Sequence, residues 1–198
     1  MATIGFVKRR YDAVAAGLHW VIAAALIFQL WLGLYMGTIP RSDPSGFAWV
    51  QFHKSLGLTI LVLSLARLGW RLANPAPPLP ASMNVVLKGL AHISHFLLYF
   101  LIIALPLSGW AMTSASALGL PIRYFGLFDW PKIWIFADMA RADKKPWSHF
   151  FGSTHEILAY TTIALIVIHV CAAIAHQIFW RDEVLKRMIP GTRLKGEA

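Results

Sequence analysis

Charge and cysteine are both scarce in this chain of 198 residues. Asp and Glu together number nine, and charged residues make up 14% of the total, where soluble domains average roughly 25%. With 58% hydrophobic residues and a mean hydropathy of +0.59, a water-soluble fold would leave far too much apolar surface without a partner. A soluble globular domain is therefore excluded. The single cysteine, Cys171, lies inside an apolar run. It rules out an intrachain disulfide and reads as a small buried hydrophobe.

The acidic shortage leaves a formal net charge of +9. Such an excess suits nucleic acid, but the basic residues lie between the apolar runs and not in one stripe, and no nucleic-acid-reading module accompanies them. The pattern is that of charges flanking membrane spans, so the partner is a lipid bilayer and not a nucleic acid. The nine Trp and twelve Phe suit the two membrane interfaces.

Four apolar runs are long enough to span. They cover about Ala13 to Gly37, Phe52 to Trp70, Gly89 to Thr113 and Ser153 to Phe179, each near or above the length needed to cross ~30 Å at ~1.5 Å per residue. Lys8, Arg9 and Arg10 precede the first run as in a signal peptide. That run is too long for a signal h-region and is read as a retained anchor. A stiff connector, Asn74-Pro75-Ala76-Pro77-Pro78-Leu79-Pro80, joins the second and third runs. An aromatic and polar loop over about Ser114 to Gly152 joins the third and fourth, with a short interfacial helix expected over Pro131 to Ala140. Pro106 is expected to bend the third span. The whole chain, 1–198, reads as a single membrane domain, an all-α four-helix bundle.

Eleven of the Lys and Arg residues fall at the amino terminus, the second-to-third connector and the carboxy tail, and seven on the opposite side, mostly in the long loop. By the positive-inside rule both termini are cytoplasmic and the loop lies outside. The expected location is multi-pass in the bacterial inner (cytoplasmic) membrane.

Histidine is the chemistry this chain does have. Seven of its eight histidines lie in or at the edge of a predicted span, where an ionisable side chain is a functional hypothesis by default. His155 and His169 are fourteen residues apart on the fourth span. They therefore point from nearly one face of a helix, ~21 Å apart along its axis, one near each side of the bilayer. His19 lies near the inner end of the first span and His53 at the outer end of the second. His19 can thus face His169, and His53 can face His155, each pair joining two helices at one depth as six-coordinate haem requires. The residues four after these histidines are Ala23, Gly57, Ala159 and Ala173, small enough to leave a slot for a porphyrin. After His92 and His95 they are Phe96 and Tyr99, so that pair reads as propionate or packing partners more readily than as ligands. Without a C-x-x-C-H sequence, two haem b groups would be held non-covalently.

The competing readings are a hydrogen bond across helices, a proton relay, or a zinc site, and the pairs stand too far apart for one tetrahedral zinc cluster. A haem-free transporter or channel would need a polar pathway, which so few intramembrane Asp and Glu do not supply. His176 follows His169 by seven residues at the inner interface. It is a candidate for passing protons to a reduced quinone, with an interfacial histidine of no chemistry as the alternative. His149 reads as a solvated loop residue. Arg67 and Arg71 on the inner side, and Arg41 and Lys54 on the outer, are candidate haem-propionate contacts, with lipid headgroups as their alternative.

At these residues the sequence resembles the bacterial cytochrome b561 family, which includes superoxide oxidases. The matching stretches are Leu18-His19-Trp20, Ile39-Pro40-Arg41-Ser42-Asp43, Phe52-His53-Lys54, and Ala91-His92-Ile93-Ser94-His95 through Ala104-Leu105-Pro106. They continue with Thr154-His155-Glu156 and His169 through Ala175-His176-Gln177-Ile178-Phe179-Trp180. The resemblance implies four helices and two haems, with His19/His169 and His53/His155 as the iron's axial ligands, and electron exchange with a quinone pool. The expected activity is an oxidoreductase moving electrons between an outer, periplasmic donor and membrane ubiquinone. Superoxide is a candidate donor. The outer segments carry seven basic residues (Arg41, Lys54, Arg123, Lys132, Arg141, Lys144, Lys145) against five acidic ones (Asp43, Asp129, Asp138, Asp143, Glu156), an excess that suits an anion but is too small to decide the substrate. The alternative is a haem-b membrane-anchor and electron-relay subunit of a larger dehydrogenase or hydrogenase-type complex.

Overall fold

A computed structural model describes residues 10–40, 42–80, 83–192 and 194. Four long helices dominate it: α1 (Ala13–Met36), α2 (Ser45–Ala73), α3 (Val85–Ser114) and α4 (Arg141–Ala175). All four are long and apolar enough to cross a membrane. Their surfaces are inverted relative to a soluble bundle: Val21, Ile27, Trp31, Val62, Leu65, Phe96, Phe100, Ile157 and Val167 are exposed. Serine and threonine, by contrast, occur among the most buried side chains, with Ser55, Ser64 and Thr162 at 0% exposure. Small residues let helices approach closely where lipid provides no hydrophobic drive. Cys171, expected to be buried, is exposed on α4; an apolar side chain has no need to avoid a lipid-facing position.

Local chemistry sets the helix starts. The Asp12 carboxylate accepts the Ala15 N–H at 2.8 Å, and the Asn84 side chain accepts the Val86 N–H at 2.8 Å, both satisfying orphan donors of a first turn. Helix α3 runs continuously through Pro106.

Two boundaries depart from expectation. Helix α2 begins at Ser45 and α4 at Arg141, so the third connection spans only about residues 115–140, and His149 is an exposed residue on α4. The first three turns of α4 are polar and invisible to hydropathy. They stay helical because Trp147 and Phe151 pack on the buried Phe136, at 6.3 and 5.9 Å between ring centroids. At 35 residues, α4 measures about 52 Å, well beyond the hydrocarbon thickness. The expected helix over 131–140 is one 3₁₀ turn, Trp134–Phe136.

The same connection holds a β-hairpin, β1 (Ile122–Tyr124) against β2 (Phe128–Trp130), antiparallel with Arg123 opposite Asp129. Its turn places Phe125 and Gly126 at φ of 47° and 77°, the positive values that hairpin turns require. Phenylalanine is an unusual occupant, held there from outside: its N–H donates to Ser55 Oγ at 2.9 Å and its ring meets Phe52 at 5.8 Å. Ser55 Oγ also lies 3.0 Å from the Arg123 carbonyl. Gln51 Nε2 donates to Pro121 O at 3.2 Å and Trp110 Nε1 to Pro131 O at 2.9 Å. The hairpin is thus pinned on one end of the bundle.

At the opposite end the two terminal segments meet the proline connector. Trp20 Nε1 donates to Met188 O at 2.8 Å, Trp70 Nε1 to Asp12 Oδ1 at 2.9 Å, and Arg187 Nη1 to Pro78 O at 2.6 Å. Helix packing runs in chain order, α1 on α2, α2 on α3 and α3 on α4. Among the described residues, neither α1 nor α2 packs extensively against α4.

Candidate functional site: two histidine pairs along one helix

His155 and His169 project from α4 toward the two helices that α4 does not pack on. Near the hairpin end, the His155 ring stands 6.3 Å from that of His53 on α2. Near the terminal end, His169 stands 6.4 Å from His19 on α1. Two imidazoles sharing one metal ion at bonds of about 2 Å, each ring adding a little over 1 Å from nitrogen to centroid, stand roughly 6 Å apart. His169 has a second neighbour, His95 on α3, at 5.7 Å, which histidine spacing alone did not single out. His95 belongs to the helix packed directly on α4, whereas His19 does not.

A cavity of about 480 Å³ opens at the hairpin-end pair, within the range of roughly 300–1,000 Å³ typical of cofactor sites. His53 and His155 line it together with Gly33, Gly57, Gly109 and Ala159. Its other walls include Gln29 from α1, Lys54 from α2 and Glu156 from α4, and Ile122 of the hairpin, only 2% exposed, closes one side.

The His155 ring is oriented by its neighbours. Nδ1 lies 3.0 Å from the Leu105 carbonyl and 3.1 Å from Ser108 Oγ. The carbonyl can only accept, so Nδ1 carries the proton and Nε2 is left with a free lone pair. Orientation of a ligating histidine through its other nitrogen is the usual second layer of a metal site. A Cβ on Gly109 would stand 3.0 Å from His155 Cε1 and 3.2 Å from Nδ1, crowding the ring. A Cβ on Gly33 would touch His53 Cε1 at 3.4 Å. His53 Nδ1 is buried without a hydrogen-bond partner.

At the terminal end, Arg67 does not reach outward. Its Nη1 donates to Ala15 O at 2.7 Å, its guanidinium lies 5.7 Å over the Tyr99 ring, and it acts electrostatically on both His19 and His169. Arg71, in the last turn of α2, is close enough to act on His95 and Tyr11. Arg41 lies outside the described residues. His176 opens a π-helical turn, His176–Trp180. Its Nδ1 bonds Asp182 Oδ2 at 2.5 Å, and its ring stands 4.6 Å from that of Trp180. On the hairpin side, the backbone N–H of Ser45, and then its hydroxyl, hold the exposed Asp43 carboxyl below the usual carboxylate range, so Asp43 remains charged at neutral pH.

Gln29, Gly33, Ser108 and Gly109 escaped the reading of the sequence. Gln29 left one signal, an amide among apolar neighbours in the first span; the others matter only through contacts across helices.

Fold and site define a polytopic helical membrane protein with histidine pairs set between helices at two depths. The chain belongs to the prokaryotic cytochrome b561 family, whose model matches residues 10–191. It is 33% identical to cytochrome b561 homolog 2 of Escherichia coli K12, over 91% of each chain. It is 28% identical to a protein of Yersinia pestis named as a probable superoxide oxidase, over 93% of this chain and 98% of that one. Cytochrome b562 of Cereibacter sphaeroides is 24% identical over 90% and 94% of the two chains. Family membership makes this a multi-pass bacterial membrane protein of electron transfer, and implies haem b. The residues present fit that group: a cavity of suitable size, glycines where side chains would fill it, one imidazole with its Nε2 freed and another with a buried, unpartnered nitrogen.

Proposed function

We propose that this chain is a di-haem oxidoreductase of the bacterial inner membrane. In this reading His53 and His155 hold one haem b at the outer, hairpin end, and His19 and His169 hold the other at the cytoplasmic, terminal end. Electrons pass from a periplasmic donor, superoxide, to membrane ubiquinone. The observation that carries the reading is the pair of histidine couples at two levels of α4, each bridging to a helix that α4 does not pack on.

Haem b, if held by His53 with His155 and by His19 with His169, would supply one-electron transfer chemistry in preference to oxygen binding. The protein's residues do the rest. Leu105 O and Ser108 hold the His155 proton at Nδ1, and Ile122 of the hairpin helps keep water from the outer cavity. Lys54 beside His53, and Arg67 and Arg71 near the inner histidines, are placed to neutralise carboxylates such as propionates. Two superoxide ions would each lose one electron and leave as dioxygen, while one ubiquinone takes the two electrons and two protons to become ubiquinol. His176, with Nδ1 engaged by Asp182, is placed to deliver such a proton from Nε2 at the inner interface.

Two measurements test this reading. Superoxide added to the oxidised, purified protein should reduce its haems at near-diffusional rates, on the order of 10⁸ M⁻¹ s⁻¹. No reduction beyond a control containing superoxide dismutase would remove superoxide as donor. Asp182→Asn should leave haem content intact and slow ubiquinone reduction roughly a hundredfold; an unchanged rate would separate His176 from proton delivery. Co-purification with a soluble redox partner, and quinone activity only in its company, would favour the relay-subunit reading instead.

A further inference from the structure

The two histidines of the outer pair are supported unequally. A ligating imidazole binds metal through one nitrogen and carries a proton on the other, which seeks an acceptor. His155 has one in the Leu105 carbonyl. His53 Nδ1 has none, although it is buried.

The side chain of Gln29 carries the complementary vacancy. Only 7% exposed, this α1 residue donates from Nε2 to the His53 carbonyl at 2.8 Å. That carbonyl can only accept, so the amide's orientation is fixed, with nitrogen toward His53 O and oxygen free. Gln29 Oε1 is buried and unpartnered. Helix α2 makes room for the amide at Gly57, where a Cβ would stand 3.2 Å from Gln29 Nε2. A donor lacking an acceptor and an acceptor lacking a donor therefore line one cavity, the second anchored to the backbone of the first.

We propose that Gln29 Oε1 accepts the Nδ1 proton of His53 as that ring turns to ligate, making Gln29 a positioning residue that tunes the outer haem. The proposal rests on the function proposed above. An acceptor at Nδ1 increases the ligand's basicity and favours the oxidised iron, so its removal should raise the midpoint potential.

The test is a spectroelectrochemical titration, with haem quantification, of the purified parent, Gln29→Met and Gln29→Glu. The substitution to Met fills the same space without an acceptor; in the one to Glu the carboxyl, protonated toward the His53 carbonyl, still presents an acceptor oxygen. In Gln29→Met, one of two haems should shift about tenfold toward reduction, ~59 mV upward for one electron, with the other unmoved. In Gln29→Glu the same haem should stay closer to its parental potential than in Gln29→Met. If Gln29→Met fails to hold the outer haem, Gln29→Glu must still hold it. Parental potentials in Gln29→Met, an upward shift in Gln29→Glu as large as that in Gln29→Met, or loss of the outer haem from both would overturn the proposal. A parent chain that binds no haem under haem-replete expression would instead overturn the functional reading itself.

Discussion

His53→Ala and His155→Ala are each expected to purify with roughly one haem where the parent holds roughly two, and the double variant should lose no more than either alone. His19→Ala and His169→Ala should remove the other haem in the same way, and His19→Ala combined with His53→Ala should remove both. The reasoning is geometric. Each pair stands 6.3 to 6.4 Å apart, so its two members serve one site and their losses overlap. His95→Ala is the informative control. It lies nearer to His169 than His19 does, at 5.7 Å, yet on the helix packed against α4. Quantified haem and the reduced-minus-oxidised spectrum should be close to parental in this variant. If His95→Ala loses a haem and His19→Ala does not, the inner pair is His95 and His169, and the assignment given above is wrong.

Gly109→Val should lose the outer haem selectively. The added Cβ alone would meet the His155 ring at 3.0 and 3.2 Å, and both residues sit on helices that pack directly together. The ring must then shift, straining its bond to the Leu105 carbonyl. Overpacking of this kind costs on the order of 1–3 kcal/mol, and losing the orienting bond weakens metal binding by about 10–100-fold. Gly109→Ala should show the same defect more mildly. Gly69→Ala, where a Cβ meets nothing within 4 Å, should retain both haems. Equal haem content in Gly109→Val and the parent, measured on detergent-purified protein, would show that the cavity tolerates a displaced His155.

Much of this architecture was legible because membranes constrain sequences so strongly. Four spans follow from apolar runs, and the meeting of His19 with His169, and His53 with His155, follows from helical spacing and depth. What stayed hidden has a physical reason in each case. The polar start of α4 is held helical by aromatic packing between Phe136, Trp147 and Phe151, which hydropathy does not register. The hairpin turn uses Phe125 where asparagine is the familiar signal, and Ser55, seventy residues away, makes that workable. Gly109 looks like any small residue of a membrane helix until the ring of His155 is seen against it. Cys171 misleads because burial and lipid exposure demand the same apolar character.

One helix, α4, the fourth in chain order, carries a histidine of both pairs. If the proposed ligation holds, neither cofactor can be secured while the ribosome is still translating the first three spans, and His19 and His53 wait in the bilayer without counterparts. Biogenesis then has a fixed order: insertion of all four spans first, haem loading afterwards, with no half-built species already able to shuttle electrons. A quality-control system need only monitor whether α4 has arrived.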